Sequence, residues 1–232
     1  MIRVLCVIVG YCFGMIQTAF ILGKLKGIDI REHGSGNSGT TNALRVMGKK
    51  AGAICFVMDA VKAIVPMVAV YFIFRNGTYA QIEPLLRMYV GVGVVLGHNF
   101  PFYMGFKGGK GIMATGGISV GMGLWSFLGV AGTFFLTFFI THYVSLGSLL
   151  MYIAFVVVMI VEGQMGMLHM SSAHCMELYI IAILMMVMAF YRHRGNIGRL
   201  IHGNERKTYL TKKNKLDTPD QETVAKEKIE QE

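Results

Sequence analysis

The stretch GHNFPFYMGFKGGKG, residues 97–111, lies between two strongly apolar segments. Its last seven residues contain four glycines and two lysines, Lys107 and Lys110. Glycines let backbone N–H groups come close to an anion, and lysines supply positive charge, so this stretch predicts a phosphate-binding loop. It is not a Walker A loop, because Gly111 rather than Ser or Thr follows Lys110. The apolar segments on both sides predict that the loop joins membrane helices.

Two other stretches have a composition suited to the same chemistry. GSGNSGTTNALR, residues 34–45, combines glycines with hydroxyl and amide donors and an arginine that can grip phosphate through two parallel hydrogen bonds. HRGNIGRL, residues 193–200, spaces His193, Asn196 and Arg199 three apart, so they share one face if the segment is helical. We therefore expect the three stretches to meet on one side of a membrane.

The composition indicates a membrane protein. Hydrophobic residues make up 54% of the 232 residues and charged residues only 15%, whereas soluble domains carry roughly a quarter charged residues. The apolar residues form blocks near the roughly 20 residues that a spanning helix needs. Most basic residues behind the net charge of +9 lie at the ends of these blocks, which is typical of membrane orientation. We expect no nucleic-acid partner.

The apolar blocks predict an all-α polytopic integral membrane protein with about seven transmembrane helices, some short and glycine-broken. These helices are residues 2–22, 51–74, 88–100, 112–124, 125–140, 144–161 and 177–191. The many Lys and Arg residues around residues 34–45 indicate a cytoplasmic loop, which places the amino terminus outside. An odd number of helices then places the carboxyl terminus and all three motif loops on the cytoplasmic side. Residues 75–87 and 162–176 become outer loops.

Charged and polar residues refine this plan at two places. Asp59 and Lys62 lie one helical turn apart in an apolar helix, so they can pair and face the bundle interior. Residues 1–203 form the predicted membrane domain. From Asn204 the chain turns polar and cannot bury enough apolar surface to order itself, so residues 204–232 are predicted to be a disordered cytoplasmic tail.

Two other kinds of site are disfavoured. Gly34, Gly36 and Gly39 formally match the GxGxxG pattern, but a membrane helix and charged residues precede them instead of a strand, so the dinucleotide-binding fold is excluded. The histidines have no convincing metal-ligand spacing beside a carboxylate. We therefore expect no metal and no cofactor.

Taken together, the three stretches resemble one known family. GSGNSGTTNALR, GHNFPFYMGFKGGKG and HRGNIGRLIHGNE occur in the order found in the acyl-phosphate-dependent glycerol-3-phosphate acyltransferases, the PlsY family of bacterial membrane enzymes. The pair Asp59 and Lys62 is also similar to a family feature. The resemblance extends from the first helix to about Glu205.

The resemblance implies an enzyme of the bacterial inner membrane with a cytoplasmic active site. It would transfer an acyl group from acyl phosphate to the sn-1 hydroxyl of glycerol 3-phosphate, giving lysophosphatidate and phosphate, the first acylation of phospholipid biosynthesis. The implied partners are these two substrates, the lipid bilayer and the enzyme that produces acyl phosphate.

The residue chemistry suggests roles within this reaction. The catalytic candidates are His193, Asn196, Ser35 and His98. His193 is the first candidate for the general base, His98 the second, and a substrate phosphate oxygen the third. Asn196, with Asn42, is expected to donate to an oxygen on which negative charge develops. Glu205 is expected to orient one of the cations. The phosphate- and substrate-binding candidates are Gly34, Gly36, Asn37, Gly39, Thr41, Asn42, Arg45, Lys107, Gly108, Gly109, Lys110, Gly111, Arg199 and Glu205.

Two alternatives fit less well. The acyltransferases that use acyl-CoA or acyl carrier protein carry a histidine followed five positions later by an aspartate, and no histidine here has that partner. A transporter for a phosphorylated metabolite would also contain glycine-broken helices and charge within the membrane. Such a transporter should show binding groups on both sides of its path, however, and here they lie on one side.

Overall fold

The structure is a computed structural model that describes residues 1–209. This part of the chain is helical and contains no β-strand. Its α-helices are α1 (Ile2–Gly14), α2 (Thr18–Leu25), α3 (Thr40–Met47), α4 (Lys49–Phe74), α5 (Glu83–Asn99), α6 (Ile112–Met122), α7 (Leu124–Thr141), α8 (Val144–Gln164), α9 (Ser172–Arg192) and α10 (Arg194–Ile201).

The helices agree with the predicted membrane architecture. Within residues 1–209, five stretches are long and apolar enough to cross a membrane, namely Ile2–Leu25, Lys49–Phe74, Leu124–Thr141, Val144–Gln164 and Ser172–Arg192. The helix α5 has 17 residues and α6 has 11, so α6 is only about 17 Å long against a hydrocarbon core of about 30 Å. All seven predicted segments are helical, and the number that span the bilayer stays a prediction.

The prediction of one continuous helix over residues 2–22 is wrong. The chain breaks between α1 and α2 at Met15, Ile16 and Gln17. The break leaves the Ile16 carbonyl available, and Lys62 Nζ donates to it at 2.7 Å. Gln17 is fully buried, and its Nε2 donates to the His98 carbonyl at 2.9 Å. Polar contacts with α4 and α5 thus replace the helical hydrogen bonds that the break removes.

The predicted outer loops are also too long, because α5 begins at Glu83 and α8 continues to Gln164. Charged residues at these positions led to the prediction of loops, but in the fold their side chains are paired with other side chains. Glu83 pairs with Arg87 one turn along α5 at 2.6 Å. Glu162 is buried and accepts from Ser126 Oγ at 2.9 Å. A paired charge can remain inside a helix bundle, which composition alone does not reveal.

The helix α1 packs closely against α5. A Cβ atom added at Gly10 or Gly14 would overlap main-chain atoms of α5, and one added at Gly93 or Gly97 would overlap main-chain atoms of α1. The two helices therefore cross with their backbones in contact, as pairs of small residues four apart allow in membranes. This crossing fixes the end of α5, from which the glycine-lysine stretch begins.

The Asp59–Lys62 pair is confirmed and is buried in the bundle. Lys62 Nζ lies 2.8 Å from Asp59 Oδ1 and 2.7 Å from His98 Nδ1. Both charged side chains are about 3% exposed. The pair therefore joins α4 to the last turn of α5 beneath the second polar stretch.

The chain does not separate from the membrane domain at Asn204, where the disordered tail was predicted to begin. Residues 204–209 have no regular secondary structure, but Thr208 is buried and its N–H donates to the His142 carbonyl at 2.9 Å. The disorder predicted for residues 210–232 lies outside the described residues.

The substitution Gly93→Ala tests the crossing of α1 and α5. We expect a lower melting temperature of the detergent-purified protein, because the added methyl group meets backbone that cannot move aside, at a cost of about 1–3 kcal/mol. Gly132→Ala is the control, since a Cβ at Gly132 in α7 meets nothing within 4 Å and alanine favours the helix. Equal melting temperatures for the two variants would contradict the close crossing.

Candidate active site

The three polar stretches meet around one cavity of about 1270 Å³. Its polar lining residues are Arg31, Glu32, Gly34, Ser35, Gly36, Asn37, Gly39, Thr40, Thr41, Asn42, Arg45, Lys49, Asp59, His98, Lys107, Gly108, Lys110, Gly111, Ser145, Ser148, Arg192, His193, Arg194, Gly195, Asn196, Arg199, Glu205, Arg206 and Thr208. Every predicted site residue except Gly109 is among them. The predicted convergence of the three stretches is thereby confirmed.

The cavity is strongly cationic. Nine Lys or Arg side chains and three carboxylates line it. One of the three, Asp59, is already paired with Lys62 inside the bundle. A concave site with this excess of positive charge attracts anions and holds them with charge-assisted hydrogen bonds. Such a lining can neutralise the negative charge of two phosphate groups.

The cavity also has an apolar side. Phe56 and Val57 of α4, Met113 of α6, and Phe134 and Phe138 of α7 line it. Val57 is 54% exposed in the protein alone, so this side opens where bilayer lipid would lie. A ligand with a charged head and an apolar tail fits both sides together.

Asn42 has a different role from the predicted one. Its Oδ1 accepts from the Ser35 N–H at 2.9 Å, and its Nδ2 donates to the Ile30 and His33 carbonyls at 3.2 and 3.0 Å. Both amide hydrogens are therefore used by the loop, and the side chain is 2% exposed. Gly34, with φ of +63°, leaves the space that Asn42 fills. The expectation that Asn42 donates to the substrate is therefore not supported, and its amide instead shapes the first loop.

The second stretch also differs from the predicted anion nest. The N–H groups of Gly108 and Gly109 donate to the Asn99 and His98 carbonyls at 3.1 and 3.0 Å. These two N–H groups are therefore used within the loop and do not form the predicted anion nest, while substrate binding by the two glycines stays a prediction. A Cβ at Gly109 would overlap the His98 ring. Glycine is needed there so that the loop can lie against the end of α5.

Arg192 holds this loop from the opposite side. Its Nη2 donates to the Gly108 and Gly109 carbonyls at 2.9 and 2.7 Å, and its guanidinium lies 5.3 Å from the centre of the Phe100 ring. In the sequence Arg192 has the position of a basic residue that caps a membrane helix, so its link to the second stretch was missed. The sequence also missed Gln17, Ser145, Ser148 and Thr208, which are single polar residues outside the three motifs.

Side chains from the second and third stretches form one hydrogen-bonded chain. Lys110 Nζ donates to Asn196 Oδ1, and Asn196 Nδ2 donates to Glu205 Oε1 at 2.7 Å. Arg199 Nε donates to Glu205 Oε2, also at 2.7 Å. Glu205 thus orients one cation directly, as predicted, and orients Asn196 as well. The second Nδ2 hydrogen of Asn196 remains a potential donor.

This arrangement shifts two pKa values outside the membrane-spanning helices. Burial, opposed by Glu205 and assisted by the positive charges of Arg199 and Arg192, lowers the pKa of Lys110 to about 8. Burial raises the pKa of Glu205, but hydrogen bonds from Asn196 and Arg199 outweigh this and leave it below its usual value. Lys110 therefore carries a positive charge that is lost just above neutral pH.

His193 is held in the tautomer that a general base needs. Its Nδ1 lies 2.8 Å from the Ala189 carbonyl oxygen. A carbonyl only accepts, so Nδ1 carries the hydrogen and Nε2 keeps its lone pair in the neutral ring. Burial and the charge of Lys110 lower the pKa of His193 to about 4, so the ring is neutral at pH 7 before substrate binds.

His98 faces the Lys62 ammonium group, which favours the opposite tautomer. Lys62 Nζ already donates to Ile16 and contacts Asp59, and its third hydrogen points to His98 Nδ1 at 2.7 Å. Since Nδ1 accepts, Nε2 carries the hydrogen of the neutral ring and can only donate. This tautomer disfavours His98 as the acceptor of the hydroxyl proton, and its place as second candidate for the base stays a prediction.

Comparisons with known proteins identify the family. A sequence model described as "Glycerol-3-phosphate acyltransferase" matches residues 4–203. The glycerol-3-phosphate acyltransferase of Pelodictyon phaeoclathratiforme is 37% identical over 225 residues, covering 88% of this chain and 96% of that protein. The chain belongs to the glycerol-3-phosphate acyltransferase family. It is thus an acyltransferase, as the three motifs indicated. The enzyme of that name from Bacillus cytotoxicus is 39% identical over 216 residues, covering 92% of this chain and 99% of that protein.

A solved structure of the glycerol-3-phosphate acyltransferase family has the same fold. The crystal structure of PlsY (YgiH), an integral membrane glycerol 3-phosphate acyltransferase, in its glycerol 3-phosphate form matches with a TM-score of 0.77 and 31% identity. The match covers 89% of this chain and 96% of that one. The lysophosphatidic acid form of PlsY matches with a TM-score of 0.74 and the same identity. Membership in this family confirms an integral membrane, multi-pass protein and implies a bacterial membrane.

The low pKa of Lys110 predicts an alkaline limit on acyltransfer. As pH rises through about 8, Lys110 loses the proton that makes it a cation, so kcat/KM should fall by up to tenfold per pH unit. In Lys110→Arg the side chain stays charged, so the alkaline limb should disappear even if overall activity is lower. Lys107→Arg is the control and should keep the limb. An unchanged limb in Lys110→Arg would exclude Lys110 as its cause.

Proposed function

We propose that this protein transfers an acyl group from acyl phosphate to the sn-1 hydroxyl of glycerol 3-phosphate. The products are 1-acyl-sn-glycerol 3-phosphate (lysophosphatidate) and inorganic phosphate. The observation that carries the proposal is the single cavity with a strongly cationic lining and an apolar side open toward lipid. Such a cavity suits two phosphate groups and one acyl chain. The glycerol 3-phosphate and lysophosphatidic acid forms of PlsY support the same pair of acceptor and product.

The choice of acyl phosphate as donor rests on the chemistry of the lining. None of the four cysteines in the described residues lines the cavity, so a thioester intermediate on the enzyme has no candidate nucleophile there. Acyl phosphate is a mixed anhydride that is already activated, and the acceptor hydroxyl can attack its carbonyl carbon directly. The bond from that carbon to the phosphate oxygen breaks, and phosphate leaves as an anion that the cationic lining stabilises.

His193 is the proposed general base. Its Nε2 lone pair can take the proton of the attacking hydroxyl, because Nδ1 is held by Ala189. The pKa of about 4 belongs to the site without substrate. Two phosphate groups beside the ring would favour its charged form and raise this pKa toward the working pH. A substrate phosphate oxygen is the alternative proton acceptor.

The remaining motif residues hold the substrates in line and stabilise developing charge. Ser35, Arg45, Lys107, Lys110 and Arg199 are proposed to bind the two phosphates, which converts a bimolecular encounter into a local reaction. Asn196, oriented by Glu205, would donate its second amide hydrogen to the carbonyl oxygen as negative charge develops there. The acyl chain would lie along the apolar side between α4 and α7.

The orientation in the membrane is part of the proposal. The cavity lies at the end of the bundle that carries most basic residues, which favours the cytoplasmic side of the bacterial inner membrane. The amino terminus would then lie outside and the described carboxyl-terminal residues inside. On this side the cavity can receive glycerol 3-phosphate from the cytoplasm and acyl phosphate from the enzyme that produces it.

The identity of the acyl donor distinguishes the proposed function from the alternative acyltransferases and from a transporter. Purified protein in lipid membranes should form lysophosphatidate from glycerol 3-phosphate and palmitoyl phosphate, and form none from palmitoyl-CoA. Product from palmitoyl-CoA alone would contradict the proposed donor. Product from neither donor, together with uptake of glycerol 3-phosphate into sealed vesicles, would favour a transporter.

The proposed role of His193 as general base predicts that its substitution lowers kcat much more than it changes KM. His193→Gln removes the basic lone pair but keeps a polar side chain, so we expect kcat to fall on the order of 100-fold or more while KM for both substrates changes less than about threefold. His202→Gln is the matched control, since His202 Nδ1 likewise contacts a carbonyl four residues earlier, that of Gly198, at 2.7 Å, but the residue is exposed. Unchanged turnover in His193→Gln would remove His193 from the mechanism.

A further inference from the structure

A short segment after α10 reaches the cavity from outside the three motifs. Residues 206–209 follow the third motif, which ends at Glu205, and lie beyond the family match, which ends at residue 203. Two of them, Arg206 and Thr208, line the cavity together with the motif residues. Arg206 and Thr208 are therefore site-lining residues beyond the part of the chain that the family model matches.

Three consecutive residues fix the segment to the turn between α7 and α8. The Thr208 N–H donates to the His142 carbonyl at 2.9 Å. The rings of Tyr209 and His142 lie 4.8 Å apart, and Lys207 Nζ lies 5.5 Å from the centre of the Tyr143 ring. The backbone and both neighbours of Thr208 are thus held, so its side chain has a defined position and is 3% exposed in total.

The Thr208 hydroxyl contacts a motif cation. Arg45 Nη2 donates to Thr208 Oγ1 at 2.9 Å. Arg45 belongs to the last turn of α3, whereas Thr208 is held by the turn between α7 and α8, so the contact joins elements on different sides of the cavity. A guanidinium is planar and rigid, so fixing one of its nitrogens restricts the direction of the remaining N–H groups.

We propose that Thr208 is a positioning residue for Arg45: its hydroxyl fixes the guanidinium in the orientation that binds the phosphate of glycerol 3-phosphate. The inference rests on the proposed function, in which Arg45 binds a substrate phosphate. A long flexible arginine loses conformational freedom when it binds an anion. Because Thr208 restricts that freedom beforehand, less affinity is lost on binding.

The test compares three side chains at residue 208. Thr208→Val has nearly the same shape and keeps the backbone bond to His142, but it lacks the hydroxyl. Thr208→Ser keeps the hydroxyl. We expect the dissociation constant of glycerol 3-phosphate, measured by calorimetry on the purified full chain, to rise about tenfold in Thr208→Val and to stay within about twofold in Thr208→Ser. In acylation assays KM for palmitoyl phosphate should not change.

A double substitution shows whether Thr208 acts through Arg45. In an Arg45→Lys background, where the guanidinium is absent, Thr208→Val should weaken glycerol 3-phosphate binding by no more than about twofold further. Thr137→Val is the matched control for the chemical change, because the Thr137 hydroxyl bonds the Thr133 carbonyl in its own helix at 2.7 Å. This control should bind glycerol 3-phosphate normally.

Each contrary result has a separate meaning. Unchanged binding in Thr208→Val, or the same tenfold loss in the Arg45→Lys background, would overturn the positioning role. A lower melting temperature with equal losses for both substrates would show a packing role and overturn it as well. If the unaltered protein does not bind glycerol 3-phosphate, both proposals fail. If it binds but forms no product from palmitoyl phosphate, the proposed donor fails while the expected Thr208→Val effect still supports the positioning role.

Discussion

The ammonium group of Lys62 is the interaction on which the rest of the site depends. It lies inside the bundle and contacts the Asp59 carboxylate, the Ile16 carbonyl and the His98 ring, all within 2.8 Å. A buried charge is costly unless it is paired and its donors are satisfied, so losing one partner would cost about 3–5 kcal/mol. Each partner belongs to a different element. The break after α1, the helix α4 and the end of α5 are therefore fixed relative to one another.

From this point hydrogen bonds extend to the first two motif loops. Gln17, beside Ile16, donates to the His98 carbonyl and accepts from Ser38 of the first loop at 3.3 Å. The same His98 carbonyl accepts from the Gly109 N–H, and Arg192 holds the outer side of the Gly108–Gly109 turn. These buried polar contacts form a frame that holds the loops carrying the cavity's cations. Such a frame keeps cations in place without a bound anion, which is the preorganisation that phosphate binding needs.

Within the cavity, Glu205 limits the mutual repulsion of the cations. It accepts from Asn196 and Arg199, and Asn196 in turn accepts from Lys110. Lys110 nevertheless has a pKa of only about 8, because it is buried among other positive charges. Burial and the charge of Lys110 keep His193 neutral until anions arrive. Substrate phosphates would therefore strengthen the charge on Lys110 and the basicity of His193 together, which links binding to catalysis.

The sequence was sufficient for the membrane class, the approximate positions of the long helices, the meeting of the three motifs and the Asp59–Lys62 pair, because apolar blocks and the helical period are local properties. It also indicated the acyltransferase family, through motifs whose order is visible in the chain. Only the tertiary structure decided what each polar group faces. It showed that the Asn42 amide and the N–H groups of Gly108 and Gly109 bond within the loops, that Lys62 faces the His98 ring, and that Thr208 reaches Arg45. Hydrogen-bond partners distant in sequence leave no local pattern, so these assignments required the fold.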